Sequence, residues 1–502
     1  MACFSCTPCL IKTEEDFFAS NYDTLAIVSV GLDELDENFP KSSTALKCLQ
    51  KIDSSFYSKL QKTVTQDKLV LFKSCTDLSK DWDDVRTIQE AGNLIMKEAI
   101  SCGRKKVLLF LNTTKARKTF EKGDFAVVQG ALAATYVPYE VRIRPEFKPK
   151  PIEMSLFKAH KRFSDQLKIT EEALTFARDL GGSDPETMAP QPMADFIIKK
   201  FAAFDNIKIE TIRDQTEINK WFPCFDCVNR ATRPVPKHHG VIMYLTYSEG
   251  KPGKSLFICG KGVTYDTGGA DLKVGGAMPG MHRDKCGASN ALGFIYAVGK
   301  LKPKNIRVTV AVALIRNSLG SHAYVADEIV KSRAGIYLRV GNTDAEGRMA
   351  MVDVLCSLRE RALIENAPNP HFFTWATLTG HACVGVGLFY TIAMDNGPAR
   401  EKNTAEKLQA SGEKVADPIE ISRFRREDYR AVTATDGYSD VIQDTPGGSI
   451  KQPRGHQFPA AFMDVASGLS KHGCDSDRPL PYAIFLKNFY SFFEKFGFSS
   501  LN

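Results

Sequence analysis

The sequence predicts an α/β protein: a small N-terminal α/β domain over residues 1–165, then a larger domain over residues 166–502 with a mostly parallel, helix-covered sheet. Three observations carry this reading. Short apolar, β-rich runs alternate with amphipathic helical stretches along most of the chain, the rhythm of parallel strands covered on both faces. Between Arg142 and Arg162 a segment with Pro145, Pro149, Pro151 and seven Lys or Arg residues interrupts that rhythm and reads as a charged, solvated linker. The chain has 502 residues, 43% hydrophobic and 25% charged, which is enough for a large buried core and is the composition of folded globular proteins.

In the first domain the clearest strands are residues 25–30 and 107–111, and no motif there carries chemistry. The second domain opens near Ile169 with a helix over residues 170–180 that Gly181 and Gly182 end, followed by a turn-rich connection over 183–192. Strands are expected at 240–245, 255–259, 306–315, 336–340 and 372–376, with helices at 288–301 and 349–362 between them. In an open sheet of this kind, ligands gather beyond the carboxyl ends of the strands.

The net charge of +7 comes from 66 basic and 59 acidic residues dispersed along the chain. Such a mild, scattered excess suits solubility better than a nucleic-acid surface, so no nucleic-acid partner is expected. No window approaches the roughly 18–20 apolar residues of a bilayer span. The N-terminus, MACFSCTPCLIKTEEDFF, lacks a basic stretch followed by an apolar one, so no membrane association and a cytoplasmic location are expected. Thirteen cysteines, an odd number scattered through a large chain, read mostly as reduced thiols. Cys3, Cys6 and Cys9, and separately Cys224 with Cys227, have CxxC spacing, yet neither group has the second pair that a zinc ribbon needs.

Chemistry concentrates in three polar segments expected at strand ends. GKGVTYDTGGADLK, read as a loop directly after the strand at 255–259, holds Lys261, Asp266 and Lys273, and its glycines allow close backbone approach to a ligand. It has neither the P-loop order nor a GxGxxG opening a helix, so nucleotide binding is unsupported. MPGMHRDKCGAS places Asp284 just before an apolar helix, and GNTDAEGR places Asp344, Glu346 and Arg348 after another strand. Each alone has an ordinary reading: Asp284 as a helix-dipole residue, Asp344 and Glu346 as a turn leading into a helix. Brought together, four carboxylates repel unless cations join them, and two divalent ions balance Asp266, Asp284, Asp344 and Glu346 in charge. Oxygen ligands suit Mn²⁺ and Mg²⁺ and are acceptable to Zn²⁺. No HExxH helix or usable His pair is present, and His282 reads as a surface neighbour of Asp284.

These segments, with ATLTG further on, resemble in order and spacing the signature segments of the leucine aminopeptidase (cytosol aminopeptidase) family of dinuclear metallopeptidases, over residues 169–463. The similarity is strongest to a divergent animal branch that shares YDTGG and the PGM text before Asp284. The resemblance implies that residues 166–502 form the catalytic domain of a metal-dependent aminopeptidase and that residues 1–165 serve assembly or regulation. By it, Lys261, Asp266, Asp284, Asp344 and Glu346 fall on the metal-ligand positions, with Asp266 and Glu346 bridging two ions, Zn²⁺ or Mn²⁺, with Mg²⁺ also compatible. Lys261 is the unusual ligand, because an ammonium with a reference pKa of about 10.4 coordinates only after adjacent cations drive off its proton.

Lys273 and Arg348 fall on the family's catalytic positions, the arginine holding a bicarbonate that relays a proton. The implied mechanism seats the free α-amine of a peptide on one ion. The other ion, with Lys273, polarises the scissile carbonyl, and a metal-bridging water attacks. Met281, Thr377, Gly380 and Met463 align with the pocket for the first side chain, implying short peptides that begin with an apolar, leucine-like residue. Ordinary core packing is the competing reading of Met281 and Met463. The family's assembly implies a homohexamer, a dimer of trimers.

Three features depart from the family. Thr374 and Arg316 stand where acidic residues are usual, and both could reshape the rim of the site. The ending after Pro481, YAIFLKNFYSFFEKFGFSSLN, does not align with the family's last strand. They keep open a second reading, a catalytically weak or inactive aminopeptidase-like oligomer with a structural or binding role. Against it, a site kept only for shape needs neither Lys273 nor Arg348. A two-metal phosphoesterase is a third reading, but a lysine ligand is unusual there and no further phosphate clamp is visible.

Overall fold

A computed structural model describes residues 4–8, 11–75, 78, 80–113, 120–149, 151–379, 381–387, 389–423, 426, 432–444 and 473–475. The chain divides into two compact units, residues 1–175 with 410–417, and residues 176–409 with 418–502.

The first unit is built on a six-stranded sheet: β1 (Phe4–Pro8), β2 (Thr24–Ser29), β3 (Leu60–Thr65), β4 (Lys68–Ser74), β5 (Lys106–Asn112) and β6 (Ile152–Leu156). The spatial order is β1-β6-β5-β2-β4-β3, and every neighbouring pair is parallel except β4 with β3. The central strand β2, sequence TLAIVS, is buried along its whole length, as expected of a β-branched run covered on both faces. Phe39 packs edge-on against Phe110 and Phe157, at 5.8 and 4.9 Å between ring centroids, anchoring the core on one side of the sheet.

Here the sequence reading needs one correction. The segment between Arg142 and Arg162 is not a continuous linker, because it contains β6, which pairs with both β1 and β5. The charged, proline-rich text flanks a short run, IEMSL, whose Met154, Ser155 and Leu156 are buried. Composition averaged over twenty residues hid the five that matter. The helix Lys161–Gly182 follows, so the helix expected at 170–180 starts earlier, includes both glycines, and contains residue 165.

The second unit holds an eight-stranded sheet of β7 (Ile207–Ile212), β8 (Val241–Ser248), β9 (Lys254–Asp266), β10 (Ile306–Asn317), β13 (Pro370–Ala376), β14 (Thr391–Asp395), β15 (Ile419–Arg423) and β17 (Gly473–Asp475). A separate three-stranded sheet comprises β11 (Ile329–Lys331), β12 (Tyr337–Arg339) and β16 (Val441–Ile442). The larger sheet runs β15-β14-β17-β13-β9-β10-β8-β7. Its centre, β17-β13-β9-β10, is parallel, as is β14 with β15, and the other pairs are antiparallel. The sheet is therefore mostly parallel where it matters, around β9.

Helices cover both faces of β9. Gly260 abuts Ala288 of the helix Cys286–Leu301, and the next residue, Lys261, abuts Gly347 of the helix Glu346–Ile364. Successive strand residues face opposite ways, so these helices lie on opposite faces. Among the described residues, no helix is long and apolar enough to cross a membrane.

Two further expectations are corrected. The strand expected at 336–340 exists as β12 but belongs to the small sheet, pairing with β11 and β16. It is three residues long and partly exposed, too short to cross a core. GKGVTYD is not a loop: β9 continues through it to Asp266, with nearly every residue buried. Glycine and charge suggested a turn, whereas parallel pairing to β10, which continues as far as Asn317 opposite Asp266, keeps the backbone extended.

Candidate active site

The extension of β9 delivers two site residues from one strand. Lys261 is buried, with Nζ 2.7 Å from Asp284 Oδ1 and 2.9 Å from Glu346 Oε1, and it donates to the Thr377 carbonyl at 2.7 Å. Asp266, at the strand's end, lies 3.0 Å from Lys273 Nζ, which also pairs with Asp344. Asp284 follows the short 3₁₀ turn Met281–Arg283, and Glu346 is the first residue of the helix Glu346–Ile364, where the helix dipole favours a negative charge. Asp266, Asp284 and Glu346 bring carboxylate oxygens within 4.8 Å of one another.

Neighbours that sequence reasoning missed hold these carboxylates. A register shift between β9 and β10 swings Asn317 beside Asp266, where its Nδ2 donates to Asp266 Oδ1 at 2.8 Å and to the Thr343 carbonyl at 3.1 Å. Tyr324 donates to the same carbonyl at 2.6 Å. Thr343 and Asp271 bond reciprocally: the Thr343 amide donates to Asp271 Oδ2 and the Asp271 amide to Thr343 Oγ1, both at 2.7 Å. Thr343 and Asp271 stood inside segments already singled out, and Asn317 beside the noted Arg316. Nothing in the sequence pointed to Tyr324 or to Gln443, described below.

Crowding four carboxyls in a buried place shifts their ionisation. Burial, then the Glu346 charge, pushes Asp266 up to about 7. Burial drives Asp284 well above the ordinary carboxylate range, and burial with Glu346 also raises Asp344. For Glu346 burial acts the same way, but the charge and hydrogen bond of Lys261 overcome it and hold the group below its ordinary value. Lys261 and Lys273 are raised despite burial, because carboxylates surround both ammoniums. Two lysines thus face four carboxylates, and Asp284 Oδ2 and Glu346 Oε2 are buried without accepting a hydrogen bond. Buried oxygens that lack donors, in a pocket short of positive charge, fit divalent cations.

Lys261, Asp266, Asp284, Asp344, Glu346 and Lys273 therefore lie together. Arg348 sits in the first turn of the helix Glu346–Ile364, its Nη1 donating to the Gln443 carbonyl at 2.8 Å with Asp444 Oδ1 3.7 Å away. Thr377 touches the cluster directly, its Oγ1 donating to Asp284 Oδ1 at 2.9 Å. Met281 is partly buried in the turn before Asp284. Gly380, Met463 and the ending after Pro481 lie outside the described residues. Thr374 is buried within β13, level with Cys259, and so lies inside the sheet. Arg316 stacks over the Tyr265 ring at 5.3 Å and donates from Nε to Ser318 Oγ at 3.1 Å.

Acidic groups gathered at the carboxyl end of β9, partnered by two lysines, form a site whose chemistry suits divalent cations. The sequence profile described as "Cytosol aminopeptidase family, catalytic domain" matches residues 175–471. A Caenorhabditis elegans protein bearing the name "putative aminopeptidase" is 40% identical over 441 residues, covering 87% of this chain and 81% of that one. The fold is shared with leucyl aminopeptidase from Leishmania major, solved with actinonin: TM-score 0.77 at 15% identity, over 98% of this chain and 94% of that one. It is shared too with the bottromycin maturation enzyme BotP in complex with Mn: TM-score 0.73 at 17% identity, over 94% of this chain and 100% of that one. The chain belongs to the cytosol aminopeptidase family and is a hydrolase acting on peptide bonds.

Proposed function

We propose that this protein is a metal-dependent aminopeptidase that releases the N-terminal residue, preferably apolar and leucine-like, from short peptides. The observation that carries the proposal is the buried cluster of Asp266, Asp284 and Glu346, joined by Lys261 and, through Lys273, by Asp344. Lys261, Asp266, Asp284, Asp344 and Glu346 would hold two divalent ions, Zn²⁺ or Mn²⁺, with Mg²⁺ also compatible with the oxygen donors. Such ions supply a Lewis acid for the carbonyl, a water acidic enough to attack near neutral pH, and a seat for the free α-amine that confines release to the N-terminus.

The chain's own residues supply the rest. Lys273, partly exposed and raised in pKa, stays cationic and stabilises the negative charge that develops on the scissile oxygen. Arg348 is the residue that would hold a bicarbonate as proton carrier. Met281 and Thr377, with Gly380 and Met463, would receive the first side chain. The N-terminal domain is assigned to assembly or regulation, and the assembly to a homohexamer in the cytoplasm. Lys273 beside the carboxylates, and the presence of Arg348 in the same helix as Glu346, support turnover over a purely structural role.

The test is release of leucine from a leucyl-amide reporter by purified protein in Mn²⁺. Lys273→Ala should lower kcat/KM by about 100- to 1000-fold while leaving bound Mn²⁺ per subunit unchanged. Undiminished turnover in this variant would remove Lys273 from the mechanism, and no release by the wild type would overturn the proposal.

A further inference from the structure

We infer that Gln443 is a positioning residue for this site, clamping the loop that carries Asp344 and fixing Arg348. The inference deepens the proposed function and rests on it. Gln443 is fully buried, and its side-chain amide bonds four backbone groups around Asp344. Oε1 accepts from the amides of Gly341 at 2.9 Å and Asn342 at 3.0 Å. Nε2 donates to the carbonyls of Asn342 and Ala345, both at 2.8 Å. The Gln443 carbonyl accepts from Arg348 Nη1 at 2.8 Å, so one residue holds both a proposed metal ligand and a proposed catalytic cation.

The chemistry of the clamp is specific to a primary amide, which offers acceptors and donors on one short head; a carboxylate keeps only the acceptors and an alkyl group neither. The fit is close. A Cβ on Gly341 would stand 1.9 Å from the Asp444 carbonyl oxygen, so the loop must carry glycine there for residues 443 and 444 to approach. Pairing of β16 with β12 brings this segment into place.

Asp344 needs such support more than its companions. The Asp266 and Glu346 side chains, on a strand and a helix, are 5% and 1% exposed, whereas that of Asp344, on a loop, is 33% exposed. Packing does not fix Asp344, so its loop must. Outer partners that orient ligands typically change metal affinity by about 10- to 100-fold.

The experiment compares the wild type with Gln443→Leu, Gln443→Glu and a control, Gln61→Leu, which removes a buried glutamine bonded to the Phe56 carbonyl in the first unit. Two readouts are taken: Mn²⁺ bound per subunit with its affinity, and hydrogen exchange at the amides of Gly341 and Asn342 in metal-free protein. Gln443→Leu should speed exchange at both amides about tenfold or more and weaken at least one Mn²⁺ site about 10- to 100-fold. Gln443→Glu should keep the two amides protected while still weakening Mn²⁺, since only its donors are lost. Gln61→Leu should change neither readout. Wild-type exchange and wild-type Mn²⁺ affinity in the Gln443 variants would overturn the inference. If the wild type binds no Mn²⁺, the proposed function fails instead, and exchange alone decides the clamp: unchanged protection in Gln443→Leu overturns it. Should that variant not fold, the near-isosteric Gln443→Glu decides, and undiminished Mn²⁺ affinity there overturns it.

Discussion

Gly347→Ala tests whether the site depends on where Lys261 is held. Gly347 is the second residue of the helix Glu346–Ile364, and a methyl group there would stand 2.5 Å from Lys261 Cε, 2.7 Å from Nζ and 2.8 Å from Cδ. Carbon atoms pack at about 3.5–4.0 Å, so the end of Lys261 must retreat by about 1 Å. It has little room to do so, being buried with Nζ held at 2.7–2.9 Å by Asp284, Glu346 and the Thr377 carbonyl. A retreat of that size stretches at least one of these contacts out of hydrogen-bond range.

Two effects on stability oppose each other. Alanine suits a helix interior better than glycine by roughly 0.5–1 kcal/mol, whereas overpacking costs about 1–3 kcal/mol. The net loss is thus about 2.5 kcal/mol at most, small enough to leave the protein folded. Turnover suffers more, because a misplacement of about 1 Å near a reacting centre costs about 100-fold. The assay pairs thermal denaturation with the leucyl-amide reporter in Mn²⁺. The expected variant melts within a few degrees of the wild type and turns over about 100-fold more slowly. A folded variant working at the wild-type rate would show that Lys261 moves without consequence, and would refute the reasoning.

Two other predictions follow from burial. A carboxyl whose pKa is raised on folding favours the folded state while protonated; its contribution is fully present below the ordinary value near 3.8 and is lost as pH rises through the folded value. With Asp266 at about 7 and Asp284 also raised, metal-free protein should lose Tm between about pH 5 and pH 8. Mn²⁺, which replaces these protons, should then raise Tm more at about pH 8 than at about pH 6, and a Mn²⁺ effect independent of pH would contradict the ionisation described here. Cys224, Cys227, Cys259 and Cys286 are buried free thiols raised by burial, Cys227 and Cys286 to about 12, while Cys48 is exposed. Alkylation of native protein should label Cys48 and spare these four; labelling of Cys224 or Cys227 at the rate of Cys48 would show that their region opens.

Much of the larger sheet was legible because the first part of β9, most of β10 and much of β13 are apolar runs, and burial on both faces writes directly into composition. β6 was not, because five half-apolar residues between charged flanks owe their strand to neighbours distant in sequence. The extension of β9 through Asp266 was missed for a related reason: glycines and a lysine read locally as a turn, while pairing to β10 keeps the backbone extended. Of the candidate site, the charged residues were legible because burying charge is costly enough to mark the residue type. The neutral groups that aim them, Asn317, Tyr324 and Gln443, are ordinary in composition, and only their hydrogen bonds distinguish them.

The ionisation of Lys261 links the structure to the proposed chemistry. Without metal, its ammonium joins Asp284 to Glu346, and with Lys273 it supplies two positive charges against four negative ones. Burial first, then the neighbouring carboxylate charges, raise Asp266 and Asp284, so protons on these carboxyls meet part of the shortfall. If Lys261 coordinates as proposed, it would do so as the neutral amine, and loading would expel that proton as well as those on the carboxyls. Four carboxylates, two divalent ions and the one remaining ammonium, Lys273, would then carry a single net positive charge. A pocket built of acidic residues would thus favour negative charge once filled, which suits the oxygen charge proposed to develop during attack. Asp444, 3.7 Å from Arg348, offsets that arginine, so the excess would rest on Lys273 and the ions, the place the proposed mechanism gives to the scissile carbonyl.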